Sequence, residues 1–144
     1  MAKFDDSLVA VTSRSFSTNQ FLVKKLKESY PNVSLNLTGK TLKDNELVKF
    51  LANADKAIVG IEIIDKDILD QLPKLKLISK YGVGLNNLDL DECKKRNIQI
   101  KFQPGSNKQS VAEFTLLLML NSLRQVHNNK TCLLYTSDAA DDIA

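Results

Sequence analysis

Apolar and polar positions along this chain follow two rhythms, one close to helical spacing and one of short continuous or alternating runs. Residues 7–12 form an unbroken run centred on Leu8, Val9, Ala10 and Val11, the pattern of a strand covered on both faces. Leu22, Val23, Leu26 and Tyr30 then fall on one side of a helix that Ser17 or Thr18 is placed to cap and Pro31 to end. Residues 33–37 alternate, so one face of that strand is wet and it belongs at a sheet edge. Leu47, Phe50, Leu51 and Ala54 return to helical spacing, and Ala57, Ile58 and Val59 make a third, apolar strand closed by Gly60.

Asp65 is placed to cap a short helix carrying Ile68, Leu69 and Leu72 and stopped by Pro73. Residues 75–89 follow as strand, tight loop and helix start: an apolar run enters Gly82 and Gly84, and acidic and amide residues come after them. Asp89 is the cap of the next helix, with Glu92 at capping-box distance and Asn97 where a helix often needs a left-handed residue to end. Residues 98–102 alternate again. Five strands alternating with helices predict an α/β fold with a parallel sheet, and the two alternating strands, the second and fifth, are its natural edges. The expected order is the flavodoxin-like 2-1-3-4-5.

Beyond a turn at residues 104–107, the longest helical pattern runs from Ser110 to about Asn129. Ser110 and Glu113 have capping-box spacing, which makes Glu113 a partner for a backbone N–H rather than a catalyst. Leu116, Leu117, Leu118, Met119 and Leu120 are apolar nearly all the way round the helix. Such a helix must be covered on more than one side, so a second domain or subunit is expected against it. His127, the sole histidine, falls on its polar distal end and reads as a surface residue.

Composition narrows the picture. At 144 residues and 43% apolar, the chain is long enough to bury one ordinary domain core. No apolar run approaches the roughly 18 residues of a membrane span, and the first residues lack a signal-peptide pattern, so a cytoplasmic protein is expected. Cys93 and Cys132 have no metal-like spacing, indicating neither a disulfide framework nor a metal site. The net charge is +3, with the positive excess in residues 1–130, because Asp138, Asp141 and Asp142 are the only charged groups beyond them. The lysines are interspersed with Glu and Asp instead of clustering with aromatics, which argues against a nucleic-acid surface.

The candidate chemistry lies at Gly82 and Gly84. Glycines there open backbone geometry closed to other residues and clear side chains from the peptide N–H groups, at a strand end where α/β sheets form their ligand crevice. Residues 76–89, followed at the right separation by residues 104–120 (Pro-Gly-Ser-Asn-Lys-Gln-Ser-Val-Ala-Glu-Phe-Thr-Leu-Leu-Leu-Met-Leu), resemble the N-terminal substrate domain of the D-isomer-specific 2-hydroxyacid dehydrogenases, the phosphoglycerate dehydrogenase branch in particular. The resemblance covers residues 51–129, and the earlier strands fit more loosely. It implies NAD-dependent hydride transfer to or from a small 2-hydroxy acid, 3-phosphoglycerate-like, in a homodimer. It further implies that the N–H groups of Gly82, Val83 and Gly84 hold the substrate carboxylate, and that Val83 and Asn107 lie towards the cofactor. The long helix would then pass to the nucleotide-binding domain.

Two departures from the resemblance stand out: an amide at Asn86 where an acid is common, and Gly60-Ile61-Glu62 where phosphoglycerate-using relatives place a basic residue. The cofactor loop Gly-x-Gly-x-x-Gly and the catalytic Arg, Glu and His implied by the resemblance are not in this sequence, whose last glycine is Gly105. Residues 1–130 are therefore expected to be a substrate domain without its Rossmann NAD domain and inactive alone. Residues 131–144 resemble a translated sequencing adapter, hence a non-native tail. Three rival readings stand beside it. A phosphoacceptor receiver needs acids after the first and third strands, where Thr12-Ser13-Arg14 and Gly60-Ile61 stand. A flavodoxin-like FMN module needs a glycine in the phosphate loop, and residues 13–18 have none. A cofactor-sensing corepressor-type relative would lack the dehydrogenase role.

Overall fold

A computed structural model describes residues 5–124. The chain divides into two compact units, Met1–Pro104 and Gly105–Ala144. The first is a five-stranded sheet in the order β2-β1-β3-β4-β5 with every pair parallel, as the alternation of elements predicts. Its strands are β1 (Val9–Val11), β2 (Val33–Leu35), β3 (Lys56–Val59), β4 (Leu77–Lys80) and β5 (Gln99–Lys101). Every residue of β1 is buried, whereas β2 is half-buried throughout and β5 is mostly exposed. The wet faces of the alternating segments thus lie at the two edges, where only one neighbouring strand is available.

Register sets the core. Ala10 aligns with Ala57, Ala57 with Ile78, and Ile78 with Ile100, placing small side chains on β1 and β3 and larger ones on β4 and β5. Against that face sit Leu47 and Leu51 of α3 (Asp44–Leu51), Ile68 and Leu69 of α4 (Lys66–Asp70) and Cys93 of α5 (Leu90–Lys95). Ala10 and Ala57 leave the helix side chains room to reach the sheet. Burial also pushes the Cys93 thiol up, as suits an inert core cysteine. Cys132 and His127 lie outside the described residues.

The helix ends follow local chemistry with three corrections. Asp65 accepts from Ile68 N at 3.0 Å and Asp89 from Glu92 N at 2.9 Å, and Asn97 takes the left-handed geometry expected of it, with φ 55°. Neither Ser17 nor Thr18 caps the second helix. Both belong to a short α1 (Arg14–Thr18), where Ser17 donates to Val11 O and Thr18 to Arg14 O, so their hydroxyls are committed to preceding carbonyls. Asn19 caps α2 (Gln20–Ser29) instead, accepting from Leu22 N at 3.1 Å. Glu92 does not close its box: Asp89 N donates across to Ile64 O, and the Glu92 carboxylate turns to Lys95 and Arg96. Arg96 also reaches Leu69 O at 3.0 Å and the Asp70 carboxylate, tying α5 to α4.

In the second unit α6 (Lys108–Arg124) begins before Ser110, because Lys108 N donates to Gly105 O at 3.1 Å and closes the turn early. The Ser110–Glu113 box is therefore not made, and Glu113 accepts from Gln109 Nε2 at 2.9 Å. Leu116, Leu117, Leu118, Met119 and Leu120 are all exposed. The pattern from residue 125 to about 129 lies outside the described residues, as does the tail 131–144. No helix among the described residues is long and apolar enough to cross a membrane.

Ile78 is fully buried at the centre of the main cluster, so Ile78→Ala should destabilise the domain by about 3 kcal/mol, transfer and cavity terms together. The urea midpoint should fall with an unchanged slope. A second outcome concerns acid. The Lys56 ammonium beside Asp5 holds that carboxyl at about 2, against an ordinary 3.8. Because the folded value is the depressed one, the ionised group favours folding above pH 3.8, and that contribution is lost as pH falls towards about 2. Lys56→Met should flatten this part of the stability profile, followed as the urea midpoint against pH.

Candidate functional site

The carboxyl-terminal ends of β1, β3 and β4 lie side by side, and the chain reverses its direction of travel across the sheet between β1 and β3. Open α/β sheets place their ligands at that edge. Two neighbouring clefts lie there. One, of about 350 Å³, is lined by Gly60, Ile61, Lys80, Tyr81, Gly82, Gly84, Asn86 and Asn87. The other, of about 430 Å³, is lined chiefly by Ser13, Arg14, Ser15, Thr18, Glu62 and Tyr81, and shares Gly60, Ile61 and Tyr81 with the first.

The glycine loop leaves β4 with Tyr81 N still donating to Val59 O at 2.8 Å, then departs from the ladder. Gly82 adopts φ 146°, a conformation that L side chains rarely take. Gly84 has ordinary φ, and a Cβ built on it would meet only Asn86 Oδ1, at 3.4 Å. Its lack of a side chain is therefore not a packing necessity. Among the described residues, no acceptor takes the N–H of Gly82, Val83 or Gly84. Successive free donors at a strand end are the kind of group that can hold an anion.

Below the loop, polar side chains lock the strand ends together. Lys80 Nζ donates to Gly60 O and, at 2.6 Å, to Asn87 Oδ1. Asn87 in turn donates to Gly60 O at 3.3 Å and to Glu62 O. Burial pushes the Lys80 ammonium down from its ordinary value, while the Glu62 charge works the other way. Glu62 itself is 2% exposed and accepts on Oε2 from Thr12 Oγ1 at 2.8 Å and from Gly60 N at 2.9 Å. Asn36, also buried, donates to Thr12 O and Lys40 O, both at 2.9 Å. Tyr81 is fixed at the rim of both clefts by an edge contact with Phe16, 5.3 Å between centroids at 84°.

Of the residues singled out in the sequence, Gly82, Val83 and Gly84 form one loop, with the two glycines lining the first cleft. Asn107 belongs to the second unit, where its carbonyl accepts from Val111 N at 3.0 Å as α6 begins. Sequence reasoning missed Lys80, Asn87 and the full role of Glu62. A lysine ending an apolar strand and a glutamate between isoleucines were the available signals, because charged residues at such positions require partners.

Chain comparison places this geometry among known proteins. Residues 9–144 match the family model described as "D-isomer specific 2-hydroxyacid dehydrogenase, catalytic domain". A hydroxypyruvate reductase of Thermotoga maritima is 32% identical over 93 residues, 64% of this chain and 30% of that protein. A glyoxylate reductase of Thermofilum pendens is 41% identical over 82 residues, 56% of this chain and 24% of that one. The crystal structure of an NAD+-bound 3-phosphoglycerate dehydrogenase from Entamoeba histolytica shares the fold, with TM-score 0.66 and 23% identity, over 81% of this chain and 39% of that chain. The chain thus spans about a third or less of the curated relatives' length. With more than half of its residues matched by the family model and the sheet order in agreement, the chain belongs to the D-isomer specific 2-hydroxyacid dehydrogenase family.

Proposed function

We propose that this chain supplies the substrate-binding part of an NAD-dependent oxidoreductase acting on the CH–OH group of a small D-2-hydroxy acid. The observation that carries the reading is the run of unpaired N–H groups at Gly82, Val83 and Gly84, two of them on glycines that line a cleft. The two named reductases support it, since hydroxypyruvate and glyoxylate each present a carboxylate beside a carbonyl. The carboxylate would accept from the loop donors, which orients the adjacent carbon. Lys80, held beneath by Gly60 and Asn87, adds positive charge below the anion.

NAD, when bound, takes up or delivers the hydride. Val83 and Asn107 are the residues of this chain proposed to lie towards it, and a loop without side chains at 82 and 84 is compatible with the close approach of a flat ring. The donors for a dinucleotide are not in this sequence, which contains no Gly-x-Gly-x-x-Gly, nor are the expected catalytic Arg, Glu and His assigned to any of its residues. Residues 1–130 accordingly form the substrate domain in this reading, with residues 131–144 a non-native tail. A cytoplasmic homodimer completes it, the exposed Leu116, Leu117 and Leu120 of α6 being the surface that calls for cover. A 3-phosphoglycerate-like acid is the substrate that the resemblance alone ranks first, and the buried Glu62 in the adjoining cleft speaks against its phosphate.

The test is an NMR titration of the isotope-labelled 144-residue chain with D-glycerate. The amide signals of Gly82, Val83 and Gly84 should move first and furthest. Gly84→Val, which places a branched side chain at the donors without forcing a positive φ, should abolish those shifts and leave the thermal midpoint nearly unchanged. Gly82→Ala should instead cost about 1 kcal/mol of stability, because its φ of 146° strains any side chain. Shifts confined to residues outside the loop, or undiminished binding by Gly84→Val, would overturn the assignment.

A further inference from the structure

The second cleft holds a carboxylate that binding at the glycine loop does not employ. Glu62 is buried to 98%, being 2% exposed, yet it lines the cleft beside Ser13, Arg14, Ser15 and Tyr81. Both of its hydrogen bonds, from Thr12 Oγ1 and Gly60 N, end on Oε2. Among the described residues no donor reaches Oε1. Oε1 is not closed off from solvent, so its lone pairs are open to any group in the cleft that brings a hydrogen.

Position links this oxygen to the loop. The two clefts share Gly60, Ile61 and Tyr81, so a molecule with its carboxylate on residues 82–84 can extend past Gly60 towards Glu62. Gly60 also keeps the passage open, since a Cβ there would come within 3.2 Å of Ser13 Cβ and 3.4 Å of Glu62 Oε2.

Charge then decides what the far end of that molecule is. An anionic group would meet the Glu62 carboxylate where water screens it little. Two cations are near enough to matter, and neither offsets it. Arg14 is exposed and directs Nη1 to Gly39 O at 3.3 Å, so solvent and salt screen its field. Lys80 keeps its charge but is held by Gly60 O and Asn87 Oδ1 beneath the glycine loop, where the ligand's carboxylate takes its field. A hydroxyl, by contrast, brings no charge and supplies the hydrogen that Oε1 lacks.

We infer that Glu62 is a specificity-determining residue, accepting a hydrogen bond from an uncharged, hydroxyl-bearing distal group of the 2-hydroxy acid and disfavouring a phosphorylated one. The inference rests on the reading of residues 82–84 as the carboxylate site. It differs from a purely structural account, in which Glu62 only pins Thr12 and Gly60, by requiring discrimination according to the distal group's charge.

D-glycerate and 3-phospho-D-glycerate differ only at that distal group, and titrating the 144-residue chain with each separates the possibilities. Wild type should bind D-glycerate about tenfold more tightly, read from the amide shifts of residues 82–84. Glu62→Gln keeps the shape and an acceptor for Thr12 or Gly60 but removes the charge, and should bring the two acids within about threefold. Equal or tighter binding of the phosphorylated acid by wild type overturns the inference, with no variant needed. So does an unchanged ratio in a folded Glu62→Gln. Loop shifts with the wrong selectivity would remove only the role of Glu62, whereas no loop shifts with either acid would remove the carboxylate site and this inference with it.

Discussion

A band of buried and half-buried hydrogen bonds across the carboxyl-terminal ends of the strands holds the candidate site in place. It runs from Asn36 after β2 to Thr12 after β1, from Thr12 to Glu62, from Glu62 back to the Gly60 N–H after β3, and from Gly60 O to Lys80 and Asn87 beside β4. Each of these groups is costly to bury alone, so each position of one constrains the next. The lower part of the sheet is held by non-directional apolar contact, which tolerates small adjustments. The upper edge is held by directional bonds, which do not. That difference suits an edge where donor positions must be kept to within a fraction of an ångström.

The glycine loop is the exception within this band. Its strand neighbours are bonded and its base is clamped by Lys80 and Asn87, but the three N–H groups at residues 82–84 are left without protein acceptors. Unpaired donors are ordinarily a defect, tolerated here because the loop is at the surface and water can satisfy them. In the proposed function a carboxylate would replace that water with two or more charge-assisted bonds, and the clamp beneath would leave little ordering to be done when it arrives. Packing of α3, α4 and α5 on one face of the sheet therefore reaches function by an identifiable route: it fixes β3 and β4, these fix Gly60 and Lys80, and these fix the loop.

Features governed by near neighbours were legible in the sequence. Asp65 and Asp89 cap their helices and Asn97 ends one in left-handed geometry, because a cap is decided within three or four residues. Misreadings arose where another group competed for the side chain or the turn. Ser17 and Thr18 looked like caps for α2, but Ser17 turns to Val11 O beneath it and Asn19 takes the role. Glu92 stands at box spacing from Asp89, yet Arg96, itself drawn to Leu69 O and Asp70, claims its carboxylate. The helix after Gly105 starts early because a turn within its own first residues closes before Ser110 can cap.

By itself the sequence determined the parallel five-stranded sheet, its order and its edges, because alternation records which strand faces are wet and helical spacing records which residues face a sheet. It also determined the glycine loop, since only glycine tolerates Gly82's geometry and the family motif lies on contiguous residues. Tertiary structure alone decided which charged residues belong to the site. Glu62 and Lys80 are 18 positions apart and look unremarkable in the chain, one between isoleucines and one at a strand end. Their placement comes from parallel pairing of β3 with β4, which sets Gly60 between them, and from burial, which leaves the Glu62 side chain 2% exposed. Burial and long-range pairing are properties of the folded chain, and a local pattern of residue types does not encode them.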